Sequence, residues 1–293
     1  MIPPPIFDRG LLRQRLARAL PAGADFLLRW TTDDLCERLG AVKREFRRIA
    51  DVGTPLPLLA QALAARYPEA SIVRQAPIFM SRGEPPLLRL VGDEEALPFG
   101  NESFDLIVSA LSLHLVNDLP GALIQLRRAL KPDGLFLGAV LGGESLHELR
   151  IALTTAEDEL SGGVSPRVAP FADVRDMGAL LQRAGFALSV TDSELLTVRY
   201  DTFFALMKDL RAMGATNALH ERARKPSSRR LFLRAAEIYA ERFADADARI
   251  RATFEIVFLS GWAPHESQQK PLRPGSAQIS LADVLSRKAP DSK

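Results

Sequence analysis

From residue 49 onward, short apolar runs alternate with stretches of helical period, and that alternation admits few folds. The apolar runs are Ile49 to Val52, Ser71 to Val73, Leu87 to Val91, Phe104 to Ser109 and Leu135 to Val140. Helices are expected over 55–66 and 119–130 between them. Strands separated by helices pair in parallel through right-handed crossovers, which predicts an α/β sheet covered by helices on both faces. A further helix over 173–184 ends at Gly185, and strand-like runs follow from Leu188 to Thr191 and from Leu195 to Tyr200. Residues 201–246 read as mostly helical, with Phe203, Phe204, Leu206, Met207 and Leu210 on one face, before a last strand from Thr253 to Leu259. Ahead of the alternation, 11–48 reads as helical with a break at Pro21-Ala22-Gly23. The expected division is an N-terminal helical arm (1–48), a Rossmann-like core (49–200), a helical insertion (201–246) and a last strand with an irregular tail (247–293).

A chain of 293 residues that is 47% hydrophobic can bury one sizeable core and carry an inserted lobe. The single cysteine, Cys36, cannot form an internal disulfide, and the chain has no apolar run of ~18 residues to cross a bilayer. The first residues lack the basic and long apolar regions of a signal peptide, so a cytoplasmic protein of a reducing compartment is expected. A net charge of +2 argues against nucleic acid as a partner. Two basic clusters, Arg9 to Arg18 and Arg222 to Arg234, read as solvated helix faces. The alternative is docking to an acidic protein partner or peripheral contact with a membrane surface.

In such sheets a ligand lies beyond the carboxyl ends of the strands, so the loops at 53–57, 75–77, 92–95 and 109–118 are the ones to inspect. A carboxylate after the third apolar run, in Gly92-Asp93-Glu94-Glu95, can accept a hydrogen bond from an exocyclic purine amine, with the next strand as a floor. His114 follows that strand, where a histidine of near-neutral pKa would serve as a general base. The alternative is a rim histidine packed against Leu115 and Asn117. His147-Glu148, His220-Glu221 and His265-Glu266 are adjacent pairs without the i, i+4 spacing of a metal site, so no metal is expected. The Phe203, Phe204 and Met207 face reads as a lid packed on the sheet, with Tyr200, Asp201 and Arg211 near its entrance.

The runs Asp93-Glu94-Glu95-Ala96-Leu97-Pro98-Phe99, Phe104 to Ser109 and Lys131-Pro132-Asp133-Gly134 resemble the class I S-adenosylmethionine-dependent methyltransferases. Three further segments, Ser112 to Pro120, Gly142 to Arg150 and Gly261 to Gln268, are similar to the branch of respiratory complex I assembly factor 5 and its malonyl-carrier-protein methyltransferase relatives. This resemblance covers nearly the whole chain. It implies a seven-stranded sheet with the last strand antiparallel, and bound S-adenosylmethionine held by Asp51, Gly53, Gln75, Asp93, Glu94 and Ser109, with His114 near the transferred group. It also implies one of two chemistries: hydroxylation of an arginine on a complex I subunit, or methylation of the free carboxyl of a malonyl thioester.

Two departures from the family pattern are legible. The first loop, Asp51-Val52-Gly53-Thr54-Pro55-Leu56-Pro57, keeps one glycine where the family has several, and its prolines remove N–H donors from the helix start. Thr54 as N-cap and Pro55 at the first helical position would instead make a well-capped helix. Where the family places a ribose-binding acid about 20 residues later, this chain has Arg74-Gln75-Ala76-Pro77. Weak or lost cofactor binding is therefore expected. Three readings follow: a methyltransferase for a small acid or carrier-bound acyl group, an arginine hydroxylase and assembly factor for complex I, or a cofactor-poor binding protein that keeps the scaffold and the partner surface. The branch motifs favour the last two, and the altered loops favour the last.

Overall fold

The computed structural model describes residues 4–19, 24–78 and 87–269. Seven strands form one sheet: β1 (Arg48–Val52), β2 (Ser71–Ala76), β3 (Leu88–Val91), β4 (Phe104–Ala110), β5 (Leu130–Leu141), β6 (Ala187–Tyr200) and β7 (Ile250–Trp262), in the order β3-β2-β1-β4-β5-β7-β6. The first five pair in parallel, and β7 runs antiparallel to both β5 and β6. The expected α/β sheet with an antiparallel last strand is the observed one. Central strands buried on both faces read as continuous apolar runs: Ile49, Ala50 and Val52 of β1 and Leu106, Ile107 and Val108 of β4 are fully buried.

Eight helices are described: α1 (Arg9–Ala19), α2 (Phe26–Ala41), α3 (Leu58–Arg66), α4 (Leu119–Ala129), α5 (His147–Ser161), α6 (Val174–Arg183), α7 (Phe203–Ala212) and α8 (Arg229–Phe243). One core joins β-strand residues such as Leu106 and Phe254 to Leu35 and Leu39 of α2, Leu59 and Leu63 of α3, Leu149 and Leu153 of α5, and Leu231 and Ile238 of α8. A second core gathers Leu123 and Leu126 of α4 and Met177 and Leu181 of α6 with Val52, Ile107 and Phe136. Several helix starts are read directly from the residues that cap them. Asp118 accepts from the Gly121 amide at 2.9 Å, Asp173 from Asp176 at 2.8 Å, Thr202 from Ala205 at 3.1 Å and Ser228 from Leu231 at 3.2 Å. α6 stops as expected at Gly185, whose φ of +85° is left-handed.

The structure differs from the sequence expectation in five places. The arm is two helices, α1 and α2, with the Pro21-Ala22-Gly23 break outside the described residues, and 42–47 is irregular. The helix expected over 55–66 begins only at Leu58. The two runs from Leu188 to Tyr200 form one long strand, since β6 pairs with β7 along its length apart from a bulge between Ala187 and Val190. The segment 201–246 holds two helices separated by an irregular stretch, and α7 leaves Phe204 half exposed while Phe203 is buried against Tyr239 of α8. α5 was not expected, although Leu149, Ala152, Leu153 and Ala156 are buried along one side of it. The irregular tail expected from Pro264 is described only to residue 269, where Gln268 donates to Asp133 at 2.9 Å.

Candidate functional site

The strand order reverses direction between β1 and β4, and the residues after those strands form the site. β1 ends in Asp51 and Val52, and β2, paired with it in register, ends with Arg74 opposite Asp51 and Gln75 opposite Val52. Asp51 and Arg74 are both fully buried. The Arg74 guanidinium donates to the carbonyls of Thr54 at 2.8 Å and Pro55 at 3.1 Å, and its Nε stands 3.8 Å from Asp51 Oδ2. A buried guanidinium needs a carboxylate and acceptors to replace its water, and the first loop supplies both.

Thr54 is not the N-cap that its sequence context suggests. Its hydroxyl donates to Asp51 Oδ1 and accepts from the Ala110 amide at 3.1 Å, so it ties the ends of β1 and β4 together. The helix starts three residues later, after Pro57, with no side-chain cap. Tertiary hydrogen bonds on Thr54 outweigh its local capping tendency.

Above the loop, Glu94 and Ser112 close over Gly53. Ser112 donates to Glu94 Oε1 at 3.0 Å. A Cβ built on Gly53 would meet Glu94 Oε1 at 2.7 Å and Glu94 Cγ at 2.9 Å, and Ser112 Oγ closer still, so only a glycine passes beneath these side chains. The other Glu94 oxygen accepts from Arg9 of α1, which also donates to Asp93 Oδ1 at 2.7 Å and to the Leu115 carbonyl at 3.1 Å. Arg13 adds a second guanidinium to Asp93. Partial burial raises the Asp93 pKa, but the Glu95 amide and Arg9 outweigh it and hold the carboxyl below its ordinary value.

The N-terminal arm is thus fastened across the site. Phe7 donates its amide to Asn117 Oδ1 at 2.7 Å, Asp8 donates its amide to the Ala218 carbonyl at 2.9 Å, and Phe7 bridges Leu219. Several members of the two basic clusters are accounted for by internal pairing: Arg222 reaches Asp8 at 3.2 Å, and Arg234 reaches Glu159 at 2.6 Å and Glu237 at 3.0 Å. Arg9→Ala should loosen this fastening. Hydrogen bonds to charged groups contribute about 1.5–3 kcal/mol, so protection of the Phe7 and Asp8 amides should fall roughly tenfold in a hydrogen-exchange measurement.

Beneath the arm lies a cavity of about 220 Å³. Of the residues singled out from the sequence, Gly53, Glu94 and His114 line it, whereas Asp51, Gln75, Asp93 and Ser109 do not. Ser109 is fully buried in β4 and its Oγ makes no hydrogen bond among the described residues. Gln75 is fully buried at the end of β2, and neither side-chain amide atom has a hydrogen-bond partner among the described residues.

His114 sits in the 3₁₀ turn Leu113–Leu115, edge-on to Phe171 with ring centroids 5.4 Å apart. The Leu141 amide donates to its Nδ1 at 3.4 Å, which leaves the proton on Nε2. Burial pushes its pKa from 6.5 to about 3, not to the near-neutral value of a general base. An unfolded chain takes up a proton at this histidine as pH falls below 6.5, while the folded chain does not. His114 therefore contributes stability that is present above pH 6.5 and is lost as the pH falls toward 3. In urea unfolding at steps between about pH 6.5 and pH 5, His114→Phe should flatten that slope.

Several of the groups that an adenosyl cofactor would meet are engaged within the protein. The loop carbonyls and the space beside Asp51 are taken by Arg74, the face of Gly53 by Glu94 and Ser112, and the two carboxylates after β3 by Arg9 and Arg13. The β2 end offers an amide, which cannot give the paired bonds a carboxylate gives to ribose hydroxyls. Arg9, Arg74 and Ser112 were not read from the sequence as site residues. A signal for Arg74 existed in the opposite charges at the ends of two strands expected to neighbour each other. Arg9 and Ser112 carried no comparable signal. Among the described residues no three histidine, cysteine or acidic side chains are placed to hold a metal ion; His147 stands 3.6 Å from Glu148 through Nε2 and 3.9 Å from Glu144 through Nδ1.

Residues 59–138 match the model of a methyltransferase domain. Over 287 residues the chain is 39% identical to the human mitochondrial protein named arginine-hydroxylase NDUFAF5, covering 95% of this chain and 83% of that one. It is 33% identical over 270 residues to a malonyl-[acyl-carrier protein] O-methyltransferase of Halorhodospira halophila, covering 89% of this chain and 90% of that one. Among solved structures, a Bacillus halodurans protein assigned as a methyltransferase superposes with a TM-score of 0.51 at 18% identity, covering 80% of this chain and all of that one, a likeness in fold.

Proposed function

The chain belongs to the methyltransferase-fold family that holds the NDUFAF5 arginine hydroxylases and the malonyl-[acyl-carrier protein] O-methyltransferases, and on that premise we propose that it is an assembly factor for respiratory complex I with a drifted cofactor site. The observation that supports this reading is the engagement of Arg74, Glu94, Ser112 and Arg9 with the first loop and with one another at the edge of the cavity. Binding of S-adenosylmethionine is weak or lost in this account, and Asp51, Gly53, Gln75, Asp93, Glu94 and Ser109 keep the places of a binding set without its function. The partner is a protein, a complex I subunit, met in the cytoplasm at the membrane surface where that complex is built. No described helix is long and apolar enough to cross a membrane, and in this reading the contact is peripheral. His114, neutral and in the cavity wall, is the side chain placed to meet a reacting group if the protein is active.

A second reading is methyl transfer to a small carboxylic acid or an acyl-carrier-bound substrate. The relation to the malonyl-[acyl-carrier protein] O-methyltransferases favours it. One experiment separates the readings: delete the gene in its host, follow complex I on native gels, and weigh the intact subunits before and after complementation. Loss of complex I, restored by the gene with unchanged subunit masses, is the expected result. An added oxygen on a subunit arginine assigns hydroxylation instead, an added methyl assigns transfer, and unaltered complex I removes the assembly role.

A further inference from the structure

We propose that the face formed by Arg15 and Arg18 of α1 together with residues 217–225 is a docking surface for an anionic lipid bilayer. This rests on the peripheral contact of the assembly reading and names the surface that makes it.

The two basic clusters of the sequence are brought together by the fold. Arg15 donates to the carbonyl of Asn217, 202 residues away. Arg222 donates to the Leu219 carbonyl at 2.7 Å and to Asp8, just before α1, at 3.2 Å. Gly214 packs against α1, where an added Cβ would stand 3.3 Å from both Leu16 and Ala19, so the last turn of α1, which carries Arg18, is held against the end of α7. Like charges therefore face one another. Partial burial, then Arg222 and, more weakly, Arg18 hold the Arg15 pKa below its ordinary value, with Asp8 opposing.

The carboxylates on this face do not balance it. The Leu11 amide, then Arg222 and Arg224 hold the Asp8 carboxyl below its ordinary pKa against partial desolvation, and Glu221 stands 3.3 Å from His220. Arg18, Arg224 and Lys225 are exposed, and none of them pairs with a carboxylate among the described residues. Exposed arginines elsewhere, such as Arg29, Arg199 and Arg249, are matched by Asp25 at 2.7 Å, Asp245 at 2.8 Å and Asp201 at 3.1 Å. Arg15, Arg18, Arg222, Arg224 and Lys225 against Asp8 and Glu221 leave an excess of three positive charges here, more than the +2 of the entire chain. A concentration of one sign attracts a surface of the other.

The neighbouring apolar edge selects a bilayer. Pro4 and Pro5 are exposed and Ile6 is 46% exposed, and the His220 amide donates to the Ile6 carbonyl at 2.7 Å, which holds this edge against the basic stretch. Anionic headgroups answer the guanidiniums, and the boundary with the acyl chains accepts Ile6. An acidic protein surface would match the charge alone.

The test is flotation of the full chain with vesicles of phosphatidylcholine containing about 30% phosphatidylglycerol, against vesicles of phosphatidylcholine alone. Binding to the anionic vesicles only is expected, with release as salt rises from about 0.1 M to about 0.5 M. Each nearby cation raises the partition constant about fivefold, so Arg18→Gln, Arg224→Gln and Lys225→Gln together should lower it about a hundredfold. Arg128→Gln, Arg175→Gln and Arg183→Gln remove the same charge from exposed positions on α4 and α6, and together they should change it less than about twofold. Circular dichroism should show both triple variants folded as the parent. No binding to anionic vesicles, equal binding to phosphatidylcholine alone, or an equal loss in the two triple variants would overturn the proposal. Binding to polyglutamate without binding to vesicles would also overturn it and assign the face to an acidic protein. No complex I subunit enters the measurement, so its failure leaves the assembly reading to the native gels.

Discussion

Arg74→Met should lower stability by about 3–5 kcal/mol, because removing one partner of a buried ion pair strands the other. The guanidinium is fully buried between Asp51 and the carbonyls of Thr54 and Pro55. Methionine keeps much of the side-chain volume, so the cavity contribution is small and the loss is mainly electrostatic. For a chain of this size the melting temperature should drop by roughly 10 °C. Asp51→Asn alone should also destabilise, since it removes the carboxylate 3.8 Å from Arg74 Nε. The double variant should lose less than the sum of the two single losses, because the attraction between the two charges is counted in both. A double-mutant cycle in urea measures this directly. If the two losses simply add, Arg74 is held by something other than the Asp51 loop.

Gly53→Ala is the second large effect, expected at about 3 kcal/mol. Two costs combine there. The φ of +75° is left-handed, which costs an L-residue roughly 1–2 kcal/mol, and the added methyl overpacks a closed site by a further 1–3 kcal/mol. The methyl would drive Glu94 and Ser112 apart, and Glu94 cannot retreat without releasing Arg9. Ser112→Ala in the same chain should relieve only the packing part, leaving the backbone cost. Denaturant unfolding of the single and double variants checks both parts, and a Gly53→Ala protein as stable as the parent would show that the side chains above the loop are loosely held.

Much of the fold was legible because buried parallel strands and amphipathic helices have different periods. Ile49 to Val52 and Phe104 to Ser109 could be read as central strands from their unbroken apolar runs. α5 was missed because it opens at Leu146, a left-handed residue with φ +55° and no side-chain cap, directly after Gly142-Gly143-Glu144-Ser145. The extent of β6 was misread because Asp192, Ser193 and Glu194 interrupt the apolar pattern. Pairing with β7 carries the strand through them, and Arg38 of α2 binds Asp192 in two bonds of 2.7 Å.

The candidate site was legible in part. The altered loop and the missing acid near Gln75 were visible, and so were Asp93 and Glu94. What fills the space was not visible, because Arg9 lies 84 residues before Asp93 and meets it only through the fold of the arm. Thr54 shows the same limit on a smaller scale: its neighbours predict a cap, while Ala110, 56 residues away, takes its oxygen. Local propensity decides such positions only when no distant donor competes.

The central claim is that the chain's own side chains occupy the place of the cofactor. Isothermal calorimetry of the full-length protein with S-adenosylmethionine tests it most directly. The account predicts no saturable binding tighter than about 100 µM, and a dissociation constant in the low micromolar range or below would contradict it.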